Sequence, residues 1–192
     1  MLRRLYDWTM SLASGPRAPV ALGAVSFAES SFFPIPPDIL LIPMVIARRA
    51  RAFSYALLCT VTSVLGGALG YAIGALLFVQ LARPILGFYG YLDKFEAFSA
   101  NFNEYGAWIV FIAGITPFPY KVITIASGAT DLSLPVFMVA SVLARGLRFF
   151  AVAGLLYLFG PPIRHFIEQR LGLVFTVFVV GLVGGFIAIR YL

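Results

Sequence analysis

FPIPPD, residues 33–38, interrupts an otherwise apolar run from Val20 to Ala47 with three prolines and a carboxylate. Proline lacks a backbone N–H and clashes with the preceding helical turn, so a helix entering this stretch ends near Phe33. The arm before it, Val20 to Phe33, is about 14 residues, or roughly 21 Å of helix. The arm after it, Asp38 to Ala47, is about 10 residues, or roughly 15 Å. A helix needs about 20 residues to cross a hydrocarbon core of about 30 Å, so neither arm spans. The sequence therefore predicts a re-entrant hairpin that turns at Pro34, Pro36 and Pro37 and leaves by the face it entered. Irregular backbone at that depth survives only where protein buries it or a wet cavity lines it.

The composition supports a bilayer setting. The chain has 192 residues, of which 61% are hydrophobic and 11% charged. The mean hydropathy is +0.96. These values indicate an integral membrane protein. Cys59 is the only cysteine and His165 the only histidine, so neither a disulfide within the chain nor a His/Cys metal centre is available. The net charge of +6 comes from basic residues that flank apolar segments. They read as topology and headgroup signals rather than as a nucleic-acid surface. Residues 1–19 carry arginines without the apolar stretch and cleavage site of a signal peptide, and are expected to form an interfacial amphipathic helix.

The second half repeats the pattern. Pro117-Phe-Pro119-Tyr-Lys121 matches Pro34-Ile-Pro36-Pro-Asp38 as P-x-P-x-charge, and each break is followed by an apolar arm and a long apolar segment. The chain divides into a first hairpin (20–47), a crossing helix (53–80), an external polar segment (81–105), a second hairpin (106–131), a crossing helix (134–160) and a C-terminal transmembrane helix (171–190). The fold class expected is an all-α membrane protein with an inverted repeat of two re-entrant hairpins. The arginines agree with this topology. Arg3, Arg4, Arg17, Arg48, Arg49, Arg51, Arg164 and Arg170 fall on the cytoplasmic side, against Arg83, Lys94 and Arg190 outside. The N-terminus is then cytoplasmic and the C-terminus external.

Five ionisable residues lie within the apolar segments: Glu29, Asp38, Lys121, Arg145 and Arg148. Each costs about 2.5–3.5 kcal/mol on insertion scales. Two readings account for them. They pair as a buried network that fixes the fold, or they line a hydrated cavity in which cations hold an anionic group and acids exchange protons. On the second reading Glu29 and Asp38 relay protons, and Lys121, Arg145 and Arg148 hold the anionic group. Asp38 and Lys121 hold equivalent places in the two halves with opposite sign, and are candidates to meet or to face one cavity. No metal, cofactor or enzymatic role is indicated. Ser30 and Ser31 lack a histidine or lysine that would make them nucleophiles. Gly66, Gly70 and Gly74, and likewise Gly181 and Gly185, recur every four residues. They indicate close helix packing and leave a homodimer seam open.

The stretches FAESSFFPIPPD, GITPFPYKVITIASG and ARGLRFFAVAG resemble the DedA family, also described as the SNARE-associated Golgi protein or VTT-domain family, and within it the YqaA-like branch. The resemblance covers about residues 20–160. It implies that Glu29 and Asp38 match the family's first-hairpin acids, and that Lys121 matches a basic position that is usually arginine. The chain departs at Ile115, where many members carry a further arginine, and Arg145 and Arg148 are candidates to substitute for it. The function implied is lipid translocation in a bacterial inner membrane. This is either proton-driven return of undecaprenyl phosphate or exchange of phospholipids, which makes Lys121, Arg145 and Arg148 the expected lipid-phosphate-binding residues. A proton-coupled carrier of small solutes and a non-transporting assembly scaffold are the rivals.

Overall fold

The computed structural model describes residues 15, 17–32, 36–116 and 118–169, with residues 161–169 described by backbone only. The expected interfacial helix, apart from its last residues, lies outside the described residues. So do Pro34, Pro117 and the expected C-terminal helix 171–190. Every element among the described residues is helical. In chain order these are α1 (Ala18–Ser31), α2 (Asp38–Ala47), a 3-10 turn (Arg49–Arg51), α3 (Ala52–Leu77), a π-turn (Phe78–Ala82), α4 (Arg83–Phe88), α5 (Leu92–Glu104), α6 (Gly106–Ile115), α7 (Tyr120–Ala129) and α8 (Leu134–Gln169).

Two helical runs are long and apolar enough to cross a membrane, Arg49–Phe88 and Leu134–Gly160. They run antiparallel, because Phe53 meets Phe150 and Tyr157 at one end while Tyr71 meets Phe137 nearer the other. The four shorter apolar helices fit around them in two columns. α1 follows α3 in the same direction. Ser26 Oγ donates to the Cys59 carbonyl (2.9 Å), Ser30 Oγ meets Ser63 Oγ (2.7 Å), and Ser31 Oγ donates to the Gly66 carbonyl (2.9 Å). α7 continues that direction further along α3, with Tyr120 beside Gly67, Thr124 beside Gly70 and Gly128 against Tyr71. α6 and α2 follow α8 in the same way. Gly106 meets Leu132 and Gly114 meets Ala144. Asp38 then pairs with Arg148, and Arg49 reaches Tyr157 and Leu158. The chain thus reverses direction at each proline-containing break.

The glycines of α3 make the first column fit. A Cβ on Gly66 would strike the Phe27 carbonyl of α1, and one on Gly74 would strike the Ile125 carbonyl of α7. Between them, Gly70 faces Thr124 and Ser30 where α1 ends and α7 begins. Backbones this close require the small-residue stripe legible in the sequence. Polarity is inverted relative to a soluble domain. Leu57, Leu65, Leu143 and Leu147 are exposed while Ser30, Ser63, Ser127 and Arg145 are buried. That distribution suits a surface solvated by lipid.

Two helices run past their expected ends. The run that begins at Arg49 continues to Phe88 rather than ending at residue 80, and α8, whose apolar part Leu134–Gly160 has the expected bounds, continues through Pro161 and Pro162 to Gln169. In a helix the N–H groups of those two positions would serve the carbonyls of Tyr157 and Leu158. Both are missing in proline. Arg49 supplies the donors instead: its Nε donates to the Tyr157 carbonyl and its Nη2 to the Leu158 carbonyl (3.1 Å). Its guanidinium also lies 5.2 Å from the centre of the Tyr157 ring. The planar fork of arginine suits two neighbouring acceptors.

Candidate functional site: paired charges where the half-helices meet

The ends of α1, α2, α6 and α7 approach one another at mid-height of α3 and α8, and the expected charges gather there. Glu29 comes from the last turn of α1, and Asp38 opens α2. At a helix start the unpaired N–H groups favour a carboxylate. Arg145 and Arg148 are three residues apart on α8, so they share one side of that helix. Arg145 Nη2 lies 2.9 Å from Glu29 Oε2, and Arg148 Nη2 lies 2.6 Å from Asp38 Oδ2.

The two pairs differ in access. The Arg145 side chain is 0% exposed and its partner Glu29 15%. Arg145 Nε donates to Ser63 Oγ (2.6 Å). That leaves the Ser63 hydroxyl to donate to Ser30 Oγ, which in turn donates to Glu29 Oε2 (3.2 Å). The guanidinium also lies 4.9 Å from the ring centre of Tyr120 and 4.6 Å from that of Phe149. Tyr120 is itself held by a hydrogen bond to Ser141 Oγ (2.5 Å). Arg145 is therefore gripped by α1, α3, α7 and α8, and in this conformation it has no open side for a ligand. The Arg148 and Asp38 side chains are 21% and 18% exposed, and the second oxygen of Asp38 is buried without a hydrogen-bond partner among the described residues. Arg145 Nη1 is likewise unpartnered.

Asp38 does not meet Lys121, as the repeat alone had suggested. Its counter-charge is Arg148, and Lys121 is half-buried at the start of α7 without an ion pair among the described residues. Pro36 and Pro37 precede α2 and Pro119 precedes α7. Ile115 ends α6 and is 37% exposed. Sequence reasoning missed Ser63, Tyr120 and Phe149 as parts of this site. The available signal was a hydroxyl within an apolar, glycine-rich helix, and it was too common a feature to single out. Away from the charges, an apolar groove of about 610 Å³ between α6 and α8, lined by residues such as Trp108, Phe111 and Val139, offers no polar group to a headgroup.

The VTT domain family model matches residues 35–158. An uncharacterised protein of Haemophilus influenzae is 36% identical over 151 residues, covering 79% of this chain and 78% of the relative. The uncharacterised HI0703 homologue of Histophilus somni is 34% identical over 151 residues, with the same coverage of 79% and 78%. No solved structure matches the chain. With the VTT match covering Pro36, Pro37 and Asp38 of the first break, the whole second break and both arginines of α8, the chain belongs to the VTT-domain (DedA/SNARE-associated) family of membrane proteins.

Proposed function

We propose that this chain moves a lipid phosphate, undecaprenyl phosphate or a phospholipid, between the leaflets of a bacterial inner membrane, coupled to protons. The observation that carries the reading is the pair of arginine–carboxylate contacts at the meeting point of four half-length helices. On this reading α1–α2 and α6–α7 are re-entrant hairpins from opposite faces, related as an inverted repeat. The antiparallel α3 and α8, each flanked by one half-helix from either hairpin, support that relation. Transporters built this way hold their ligand between broken helices near the midplane.

The two pairs take different parts. Arg145 and Glu29 hold the helices together, with Glu29 as a second proton acceptor at the end of the Ser63–Ser30 chain. Asp38 and Arg148 form the exchangeable pair. When Asp38 gains a proton, its attraction for Arg148 falls and the guanidinium becomes available to a phosphate. Lys121, with no carboxylate paired to it among the described residues, is the second cation that phosphate meets. A sideways opening to lipid would let the hydrocarbon tail stay in the bilayer while the headgroup crosses.

The test is leaflet exchange in liposomes carrying purified protein, with labelled undecaprenyl phosphate and labelled phosphatidylcholine compared, with and without a pH gradient. Movement of the polyprenyl phosphate alone, lost in Arg148→Gln, supports a selective flippase. Movement of both lipids supports a scramblase. Movement of neither by folded protein overturns the proposal and favours a small-solute carrier or a scaffold.

A further inference from the structure

The apolar run Arg49–Phe88 is 40 residues long, roughly 60 Å of helix against a hydrocarbon core of about 30 Å. The other elements show where the excess lies. Gly128, at the end of α7, abuts Tyr71 and Ala75, and the turn from Thr130 to Ser133 follows at once. From Ala75 to Phe88 the helix runs on for about 13 residues, or roughly 20 Å, beyond that level. It passes through the π-turn Phe78–Ala82, a common site of helix bending, and α4 buries no residue. α5 then doubles back after Gly90, whose φ is 70°, and stacks Phe95 on Phe78 at 4.3 Å.

This overhang is not polar on its outside. Ile85 is 55% exposed, Phe88 84% and Phe98 51%. Tyr89 and Tyr91, which follow Phe88 in the chain, are exposed as well. Tyrosine and tryptophan concentrate at the depth of lipid headgroups. Its charge is not that of a polybasic anchor: Arg83 and Lys94 stand against Asp93, Glu96 and Glu104.

We propose that residues 78–104 form an interfacial platform that lies down in the headgroup layer on the Asp131 side of the membrane. Ile85, Phe88 and Phe98 insert below the headgroups, and insertion depends on apolar contact rather than on anionic lipid. The proposal stands independently of the transport reading, because it needs only the membrane setting of α3 and α8. In a Cys59→Ala background, nitroxide labels are attached at Ile85→Cys, Phe88→Cys and Phe98→Cys. Glu96→Cys and Leu65→Cys serve as aqueous and mid-bilayer references, and the full chain is reconstituted in phosphatidylcholine vesicles. Collisions with oxygen should exceed those with a water-soluble nickel complex at the three apolar positions, at a depth shallower than Leu65, with the reverse order at Glu96. Adding phosphatidylglycerol should leave these depths unchanged. Three results would overturn the proposal: nickel access exceeding oxygen access at all three positions, dipolar broadening between labels that points to a second copy of the chain, or insertion that appears only with anionic lipid.

Discussion

At the scale of the residue, the two arginines of α8 sit one turn apart and are expected to behave differently when removed. Arg145→Gln leaves Glu29 without its cation in a largely buried place, and breaking such a pair costs about 3–5 kcal/mol. Thermal unfolding in detergent should show that loss, and Glu29→Gln combined with Arg145→Gln should recover part of it. Arg148→Gln removes a pair that solvent partly reaches, so its stability cost should be on the order of 1 kcal/mol, while leaflet exchange is abolished. Equal destabilisation by the two single variants would contradict the division of roles. Asp38→Asn should fold normally and remove the pH dependence of transport; an unchanged pH profile in that variant counts against Asp38 as the proton carrier. Arg49 belongs to this scale too. Arg49→Ala leaves the Tyr157 and Leu158 carbonyls without donors, so amide exchange of the helical stretch after Pro162 should accelerate. Arg49→Lys should restore protection only in part, because an ammonium does not present the planar fork. Unaltered exchange in Arg49→Ala would show that the proline pair needs no outside donor.

At the scale of the element, the packing of α1 and α7 along α3 depends on absent side chains. Gly74→Ala sets a methyl against the Ile125 carbonyl, and overpacking of this kind costs about 1–3 kcal/mol. Gly154→Ala on α8 meets nothing within 4 Å among the described residues and should be neutral or stabilising, by up to about 1 kcal/mol from helix propensity. A matched pair of melting curves tests both, and a harmless Gly74→Ala would refute the close approach. The helix breaks were legible because proline acts locally and the residue count of each arm is simple arithmetic. The glycine stripe was legible because its period matches the helix. The partners of the charges were less so. Asp38 and Lys121 correspond by repeat symmetry, but correspondence does not fix contact. Asp38 packs on α8, so the charge it meets is the one α8 presents there. The continuation of α8 through two prolines could not be read locally at all, since the donors that permit it come from a residue more than a hundred positions earlier. The segment 81–105 read as polar because its charges are conspicuous. The three phenylalanines Phe95, Phe98 and Phe102, spaced three and four apart, give α5 an apolar face that a simple tally of charges hides.

At the scale of the whole molecule, the account rests on the chain entering and leaving each face of the membrane twice without crossing at the proline breaks. Site-directed cysteine labelling in the Cys59→Ala background tests this most directly. Single cysteines are introduced at Arg17 and Ala50, which flank the first hairpin, and at Asn101 and Ser133, which flank the second. Each is challenged with a membrane-impermeant maleimide in sealed right-side-out and inverted vesicles. The account predicts that Arg17→Cys and Ala50→Cys react only from the cytoplasmic face, and Asn101→Cys and Ser133→Cys only from the opposite face. Labelling of Arg17→Cys and Ala50→Cys from opposite faces would mean that the first broken segment crosses the bilayer, and the paired charges would then not lie between two facing hairpins.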